Sequence, residues 1–390
     1  MTPEIIFWTL LGIILYNYII YPFLLAFIAL VKIILKKPEH IKDIDCPEVT
    51  LLIPAYNEID YIDRKIENTN NLNYPKEKLQ IIWVTDGSDD GTYEKLKNIK
   101  EVTVFHENER NGKIGAVNRI MKNIDTPFVI FCDANTMLNK DCIREILKPF
   151  SDKKVGCVAG EKRIIQKSNK KAVSSGEGMY WKYESIIKML ESYVNSTVGA
   201  AGELFAIRTG LFEEIPGDSI VEDFVLSLSV IKKKYKTKYT RKAKAEESSS
   251  LNIKEELKRK VRIAYGSIQT LFRYPGVLNP FKTGFFSFQY FSHKVLRWTI
   301  VPLSIPFIFL LNILLYIYYP AEIIYAILLI FQIAMYILAI CGMVLQNKNI
   351  KIPFFFVPFY FLVMNLSIYK GYIRYIFSKQ SINWDKAKRL

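Results

Sequence analysis

Apolar positions crowd the two ends of the chain and alternate with polar ones between them. Residues 5–35, IIFWTLLGIILYNYIIYPFLLAFIALVKIIL, carry no charge before Lys32. About 20 apolar residues cross a bilayer, so this stretch predicts one tilted, uncleaved membrane helix. A signal peptide would open with basic residues and have a shorter apolar core. A second apolar block starts near Trp298 and predicts helices over 299–319 and 321–345, with a third apolar segment at 353–377. Pro353, Pro358, Lys370 and Arg374 set that third segment apart.

Residues 40–292 contain no comparable run and are long enough for one substantial domain. Three β-rich runs each end in a turn: EVTLLIPAYN (48–57), LQIIWVTDGS (79–88) and PFVIFCDAN (127–135). Val102–His106 is a shorter run, and helical patterns lie near 59–72, 92–99, 112–124 and 140–148. Strands alternating with helices of this length predict an α/β domain with a parallel sheet covered on both faces. Ligands of such sheets sit beyond the carboxyl ends of the strands. Here those ends are polar and turn-prone.

Charge adds direction. Lys and Arg total 53 against 38 Asp and Glu, a formal charge of +15. Lys36, Lys37 and Lys42 follow the first helix, which predicts an outside N-terminus and a cytoplasmic central domain in a multi-pass protein of the cell inner membrane. Three full spans after that domain would leave the tail outside, yet Lys370, Arg374, Lys379, Lys386, Lys388 and Arg389 favour the inside. The segment 353–377 is therefore expected to be re-entrant or interfacial. Residues 232–262 hold 13 Lys or Arg against 4 Glu. A basic amphipathic segment before membrane helices predicts contact with anionic lipid headgroups rather than with nucleic acid. The five Cys form no CxxC pair and the three His are scattered, which supports neither a zinc site nor a thiol redox motif.

Several segments carry candidate chemistry. Asp86-Gly87-Ser88 is either a strand-ending turn or a ligand contact. Asp133-Ala134-Asn135 places two oxygens two residues apart, suited to Mg²⁺ or Mn²⁺ on a diphosphate, or else caps the helix that follows. Asn111-Gly112-Lys113 puts a lysine at a helix start, which suits phosphate. The run GAAGELFAIR (199–208) leads into an apolar strand, and its glycines allow either close ligand approach or tight packing. Glu222-Asp223 opens a helix, where acids complement the dipole and where a carboxylate could also be a general base. No GxGxxG or GxxxxGK[ST] is present.

The order PAYNE, VTDGSDDGT, NGKIGAVN, DAN, GAAGELFAIR, VEDF, RKVRI resembles the family 2 glycosyltransferases over roughly residues 45–300. It most resembles the membrane-embedded branch related to cellulose, chitin and hyaluronan synthases. The resemblance implies a GT-A fold with flanking transmembrane helices and inverting transfer from a nucleotide-diphosphate sugar, by family expectation UDP-linked, to a saccharide or lipid-linked acceptor. It implies donor contacts at Ala55, Tyr56, Glu58, Asp86, Lys113, Asp133, Ala134, Asn135 and Arg262. Gly202 and Glu203 would meet the acceptor. Asp133 and Asn135 would hold Mg²⁺ or Mn²⁺. Asp223 would be the catalytic base, with Glu222 beside it. The implied layout is a membrane helix at 1–37, a catalytic domain at 45–250, interface helices at 251–297, a membrane region at 298–377 and a basic tail at 378–390.

Departures from the family pattern refine this. The second DxD acid is Asn135, an uncharged and weaker ligand. The first residue of the TED position is Val221. The QxxRW motif of processive polymerases appears as Arg259-Lys260-Val261-Arg262-Ile263, without its terminal aromatic. With fewer helices than those synthases, the chain is expected to add one or a few sugars, the alternative being a processive synthase that secretes its product. A transporter is disfavoured, because 299–319 and 323–345 contain no Asp, Glu, Lys, Arg or His. Trp384–Arg389 resembles a tail motif of related bacterial transferases.

Overall fold

The computed structural model describes residues 2–35, 45–165, 173–248, 250, 252–347 and 352–378. Runs of β-branched and aromatic residues become strands: β1 (Val49–Ala55), β2 (Leu79–Asp86), β3 (Thr103–Glu107), β4 (Phe128–Cys132), β5 (Met137–Leu138), β6 (Val155–Ile165), β7 (Leu204–Arg208) and β8 (Lys236–Ser248). They join in one sheet of order β3-β2-β1-β4-β7-β6-β8-β5. Side chains alternate across it. Leu51, Ile53, Trp83 and Ile130 pack on one face, and Leu52, Ile82, Val84 and Phe131 on the other.

β1 to β4 are parallel, as expected. The whole sheet is not: β7 runs antiparallel to both β4 and β6. The reason is where β7 enters. Its first residue, Leu204, pairs with Cys132 at the end of β4, so the chain arrives at the carboxyl edge and runs back.

The basic run 232–262 is also corrected. Its first half is mostly β8, paired with β6 near one end of the sheet. Ala243 and Ala245 are buried while Lys242 points out, a two-residue alternation masked by the lysines. Its second half begins the helix Ile253–Arg273, capped by the Asn252 side chain, which accepts from the Glu255 N–H at 2.9 Å.

Four helices are long and apolar enough to cross a membrane, at Pro3–Leu35, Ile300–Tyr318, Ile323–Gln346 and Phe354–Phe377, and they place the chain in one. The first contains a π turn at Tyr16–Ile20 but does not break. The last is a single helix, Pro353–Phe377, and not a re-entrant hairpin. Pro358 lies near its N-terminus, where the lost hydrogen bond does not interrupt the remaining turns. This helix packs along Ile253–Arg273, close enough that a Cβ on Gly371 would lie 2.8 Å from that of Ala264. Lys36, Lys37, Lys42 and the tail from Lys379, including Trp384–Arg389, lie outside the described residues.

Candidate active site

The parallel strands deliver their polar ends to one edge of the sheet. β1 and β2 run in register from Val49↔Leu79 to Ala55↔Thr85, which sets Tyr56 beside Asp86 at the strand ends. Asn57, just beyond, adopts φ 53° and bonds Asp89 through its amide at 2.7 Å. Glu58 is buried, and its N–H donates to Thr92 Oγ1 at 3.0 Å. Asp86 is buried and accepts the Asn111 N–H at 3.1 Å, so it anchors the start of the helix Gly112–Met121. Burial pushes its carboxyl above the usual range, against these backbone bonds.

Arg110 lays its guanidinium 3.7 Å from the centre of the Tyr56 ring. Gly87 makes this possible. Its φ is 66°, and a Cβ there would stand 2.8 Å from Arg110 Cβ. Gly87→Ala is expected to cost about 1–3 kcal/mol of local strain and to push Arg110 off Tyr56. Thermal unfolding checks this, with a lowered midpoint expected.

Lys113 stands in the first turn of its helix and joins two elements. Its Nζ lies 2.7 Å from Asp133 Oδ1, at the end of β4, and 2.5 Å from Glu222 Oε1. Burial would lower the ammonium, but Asp133 and Glu222 hold it above its usual value. Asp133 is raised by burial, against the pull of Lys113. Asn135 Oδ1 is buried without a hydrogen-bond partner.

Glu222 and Asp223 open the helix Glu222–Lys232. Asp223 is pushed up to about 7 by burial and by the charges of Glu222 and Glu203. It faces Gly202, where a Cβ would sit 3.7 Å from Asp223 Cγ. Glu203 is answered by Lys162 and by Arg259 at 4.0 Å. Burial alone would raise it, yet those cations hold it below the usual carboxylate range.

A cleft of about 300 Å³ gathers Asp133, Gly202, Glu203, Glu222, Asp223 and Arg262. Ala55, Tyr56, Glu58, Asp86, Lys113, Ala134 and Asn135 do not line it. Lys113 joins two of its lining residues, Asp133 and Glu222. The cleft also takes Trp181 from the helix Val173–Val194, Lys294 and Trp298 from residues before the membrane helices, and Met364, Ser367 and Ile368 from the last helix. None of these was legible as a site residue, because no spacing joins segments so far apart. Ile263, which stands where that motif has its aromatic, lines the same cleft as Trp181 and Trp298.

Residues 50–215 match glycosyl transferase family 2. The poly-β-1,6-N-acetyl-D-glucosamine synthase of Staphylococcus aureus is 31% identical over 218 residues, covering 52% of this chain and 50% of that protein. The probable glycosyltransferase YdaM of Bacillus subtilis is 28% identical over 214 residues, covering 49% and 48%. The chain thus spans about half the length of the curated relatives it matches. Among solved structures, the mannosyltransferase PcManGT from Pyrobaculum calidifontis, in complex with GDP-Man and Mn²⁺, superposes with TM-score 0.71. It is 20% identical, over 97% of this chain and 100% of that one, a likeness that shows a shared GT-A fold.

Proposed function

We propose, from the match of residues 50–215 to glycosyl transferase family 2, that the chain is a membrane-bound inverting glycosyltransferase. It moves a sugar from a nucleoside-diphosphate donor to a saccharide or lipid-linked acceptor. The observation that carries this is Asp223, a carboxylate raised to about 7 and facing Gly202 across a cleft that also holds Asp133. A general base works best with a pKa near the operating pH.

Asp223 accepts the proton of the acceptor hydroxyl as that oxygen forms its bond to the anomeric carbon. The bond from that carbon to the diphosphate breaks on the opposite face, and its electron pair leaves with the diphosphate. Lys113 and Arg262 provide positive charge for the leaving group. Ala55, Tyr56, Glu58 and Asp86 form the nucleoside end, with Arg110 added to Tyr56. Gly202 leaves room for the acceptor beside the base. Glu203, tied to Lys162, keeps a fixed negative charge near Asp223.

Asp133 and Asn135 fit a divalent cation, Mg²⁺ or Mn²⁺. They offer one carboxylate and one amide oxygen, and the Asn135 Oδ1 is buried and otherwise without a hydrogen bond. Among the described residues no group of three or more His, Cys, Asp or Glu could hold the ion alone, so donor oxygens would complete its shell. Bound there, the ion would offset the charge of the diphosphate.

Similarity to a poly-N-acetylglucosamine synthase favours a second reading, repeated addition into a polymer. The uridine donor and the cytoplasmic face of the domain are part of the proposal. Exposed Phe281 and Phe285, in the segment before the membrane helices, support contact with membrane lipids there. The test is nucleotide release by detergent-solubilised full chain from a panel of nucleotide sugars with Mn²⁺, Mg²⁺ or chelator. One donor is expected to be turned over, at least about tenfold more slowly under chelation. A ladder of products would select the polymerising reading. Release from no donor in the presence of lipid extract would overturn the transferase.

A further inference from the structure

A second pocket, of about 330 Å³, lies against the cleft and shares Tyr180, Lys294, Trp298, Met364 and Ile368 with it. Its volume is within the range of ligand sites. Two of its walls belong to membrane helices: Tyr18 from the π turn of the first, and Val357 to Ile368 from the last.

The polar atoms of this pocket are largely taken. Tyr183 Oη donates to the Tyr18 carbonyl at 2.9 Å, and Tyr360 Oη to Glu256 at 3.2 Å. The Asn365 amide donates to the Phe361 carbonyl at 2.8 Å. Apart from Lys294 and Arg297, what remains is mainly ring faces and aliphatic groups. A sugar chain needs donors and acceptors along its length, which these walls do not supply. A hydrocarbon chain needs only their apolar surface.

The side toward the cleft is different. Lys294 lies 3.0 Å from Glu184, and Arg297 pairs with the same carboxylate. His293 Nε2 is 3.3 Å from it as well. Lys294 and Arg297 therefore share the Glu184 carboxylate where the pocket meets the cleft. Burial holds the Lys294 ammonium below its ordinary value despite Glu184.

We propose that this pocket seats the hydrocarbon chain of a lipid acceptor, whose anionic phosphate lies between Lys294 and Arg297 and whose acceptor hydroxyl reaches Asp223 past Trp298. The inference rests on the transferase reading and narrows its acceptor to a phosphate-bearing lipid. It also accounts for how membrane helices come to wall a catalytic cleft.

The probe is a twelve-carbon alkyl phosphate carrying a diazirine near its chain end, photolysed with the full chain in nanodiscs. Labelling is expected on Tyr18, Met179 and residues 357–361. Unlabelled dodecyl phosphate should reduce it at least about tenfold, and dodecanol should not. Val357→Trp, which fills the pocket away from the cleft, should reduce labelling by a similar factor. The wild-type competition needs no variant to fold. Labelling as strong on the helices Ile300–Tyr318 and Ile323–Asn347, or equal competition by the alcohol, would overturn the pocket. Absence of nucleotide release from any donor, measured separately, would overturn the transferase reading and this inference with it.

Discussion

Asp223→Asn lowers the rate of sugar transfer by about 10²- to 10⁴-fold, the range for a positioned general base, and leaves the donor Kd nearly unchanged. The amide keeps the shape of the side chain but cannot take the acceptor proton. The pH profile carries a signature that a structural role would not. The Asp223 carboxyl is raised from its ordinary value to about 7, so below that pH it is protonated and cannot act as a base. Wild-type kcat/KM should therefore fall as pH drops through about 7 and level off above it. In the variant this limb disappears from the residual rate. Glu222 and Glu203 both raise Asp223, so Glu222→Gln should move the limb to lower pH. Initial rates from pH 5 to 9 with saturating donor, beside calorimetric nucleotide titration, check both. Unaltered turnover in the asparagine variant would remove Asp223 from the mechanism.

Lys113→Met should cost about 10²- to 10³-fold in kcat/KM, with a large part in the donor KM. Its ammonium answers Asp133 and Glu222 together, so its loss leaves two carboxylates facing each other and the incoming diphosphate. The same positive charge lowers Asp223. Removing it should move the acidic limb above about 7, opposite in direction to Glu222→Gln. Lys113→Arg keeps the charge and should restore the position of the limb better than it restores the rate, because a planar fork does not reproduce a point donor. Rate profiles of the two variants, side by side, separate charge from geometry.

The parts of this fold legible in the sequence are those whose partners lie close in the chain. β1, β2 and β4 are apolar runs ending in turn residues, and their parallel pairing follows from the helices between them. The Leu204–Arg208 strand was also expected, though not its direction, which depends on entry at the end of β4. β8 was misread because over Lys242–Ala245 its alternation uses alanine for the buried positions and lysine for the others. A charge count sees only the lysines. At the site, Asp133, Glu222, Asp223, Gly202, Glu203 and Arg262 do converge on one cleft. The Lys113 bridge was not foreseen, since a lysine at a helix start was read as a phosphate contact alone. Arg110 was missed because nothing in NERNGK marks an arginine for stacking on a tyrosine more than fifty residues earlier. Trp181 and Trp298 reach the cleft through tertiary packing, which a motif cannot encode.

The contact between Gly371 and Ala264 leaves no slack between the last membrane helix and the helix that carries Arg259 and Arg262. Met364, Ser367 and Ile368 stand one to two turns away on the same rod and wall the cleft. A helix adjusts to a thinner or thicker bilayer by tilting. Here any tilt is geared through a pivot with no side chain to cushion it, and it moves one wall of the reaction chamber against the sheet that holds the opposite wall. The thickness of the surrounding membrane thus becomes a setting of the catalytic geometry, and the same chain would run at different speeds in leaflets of short and long acyl chains.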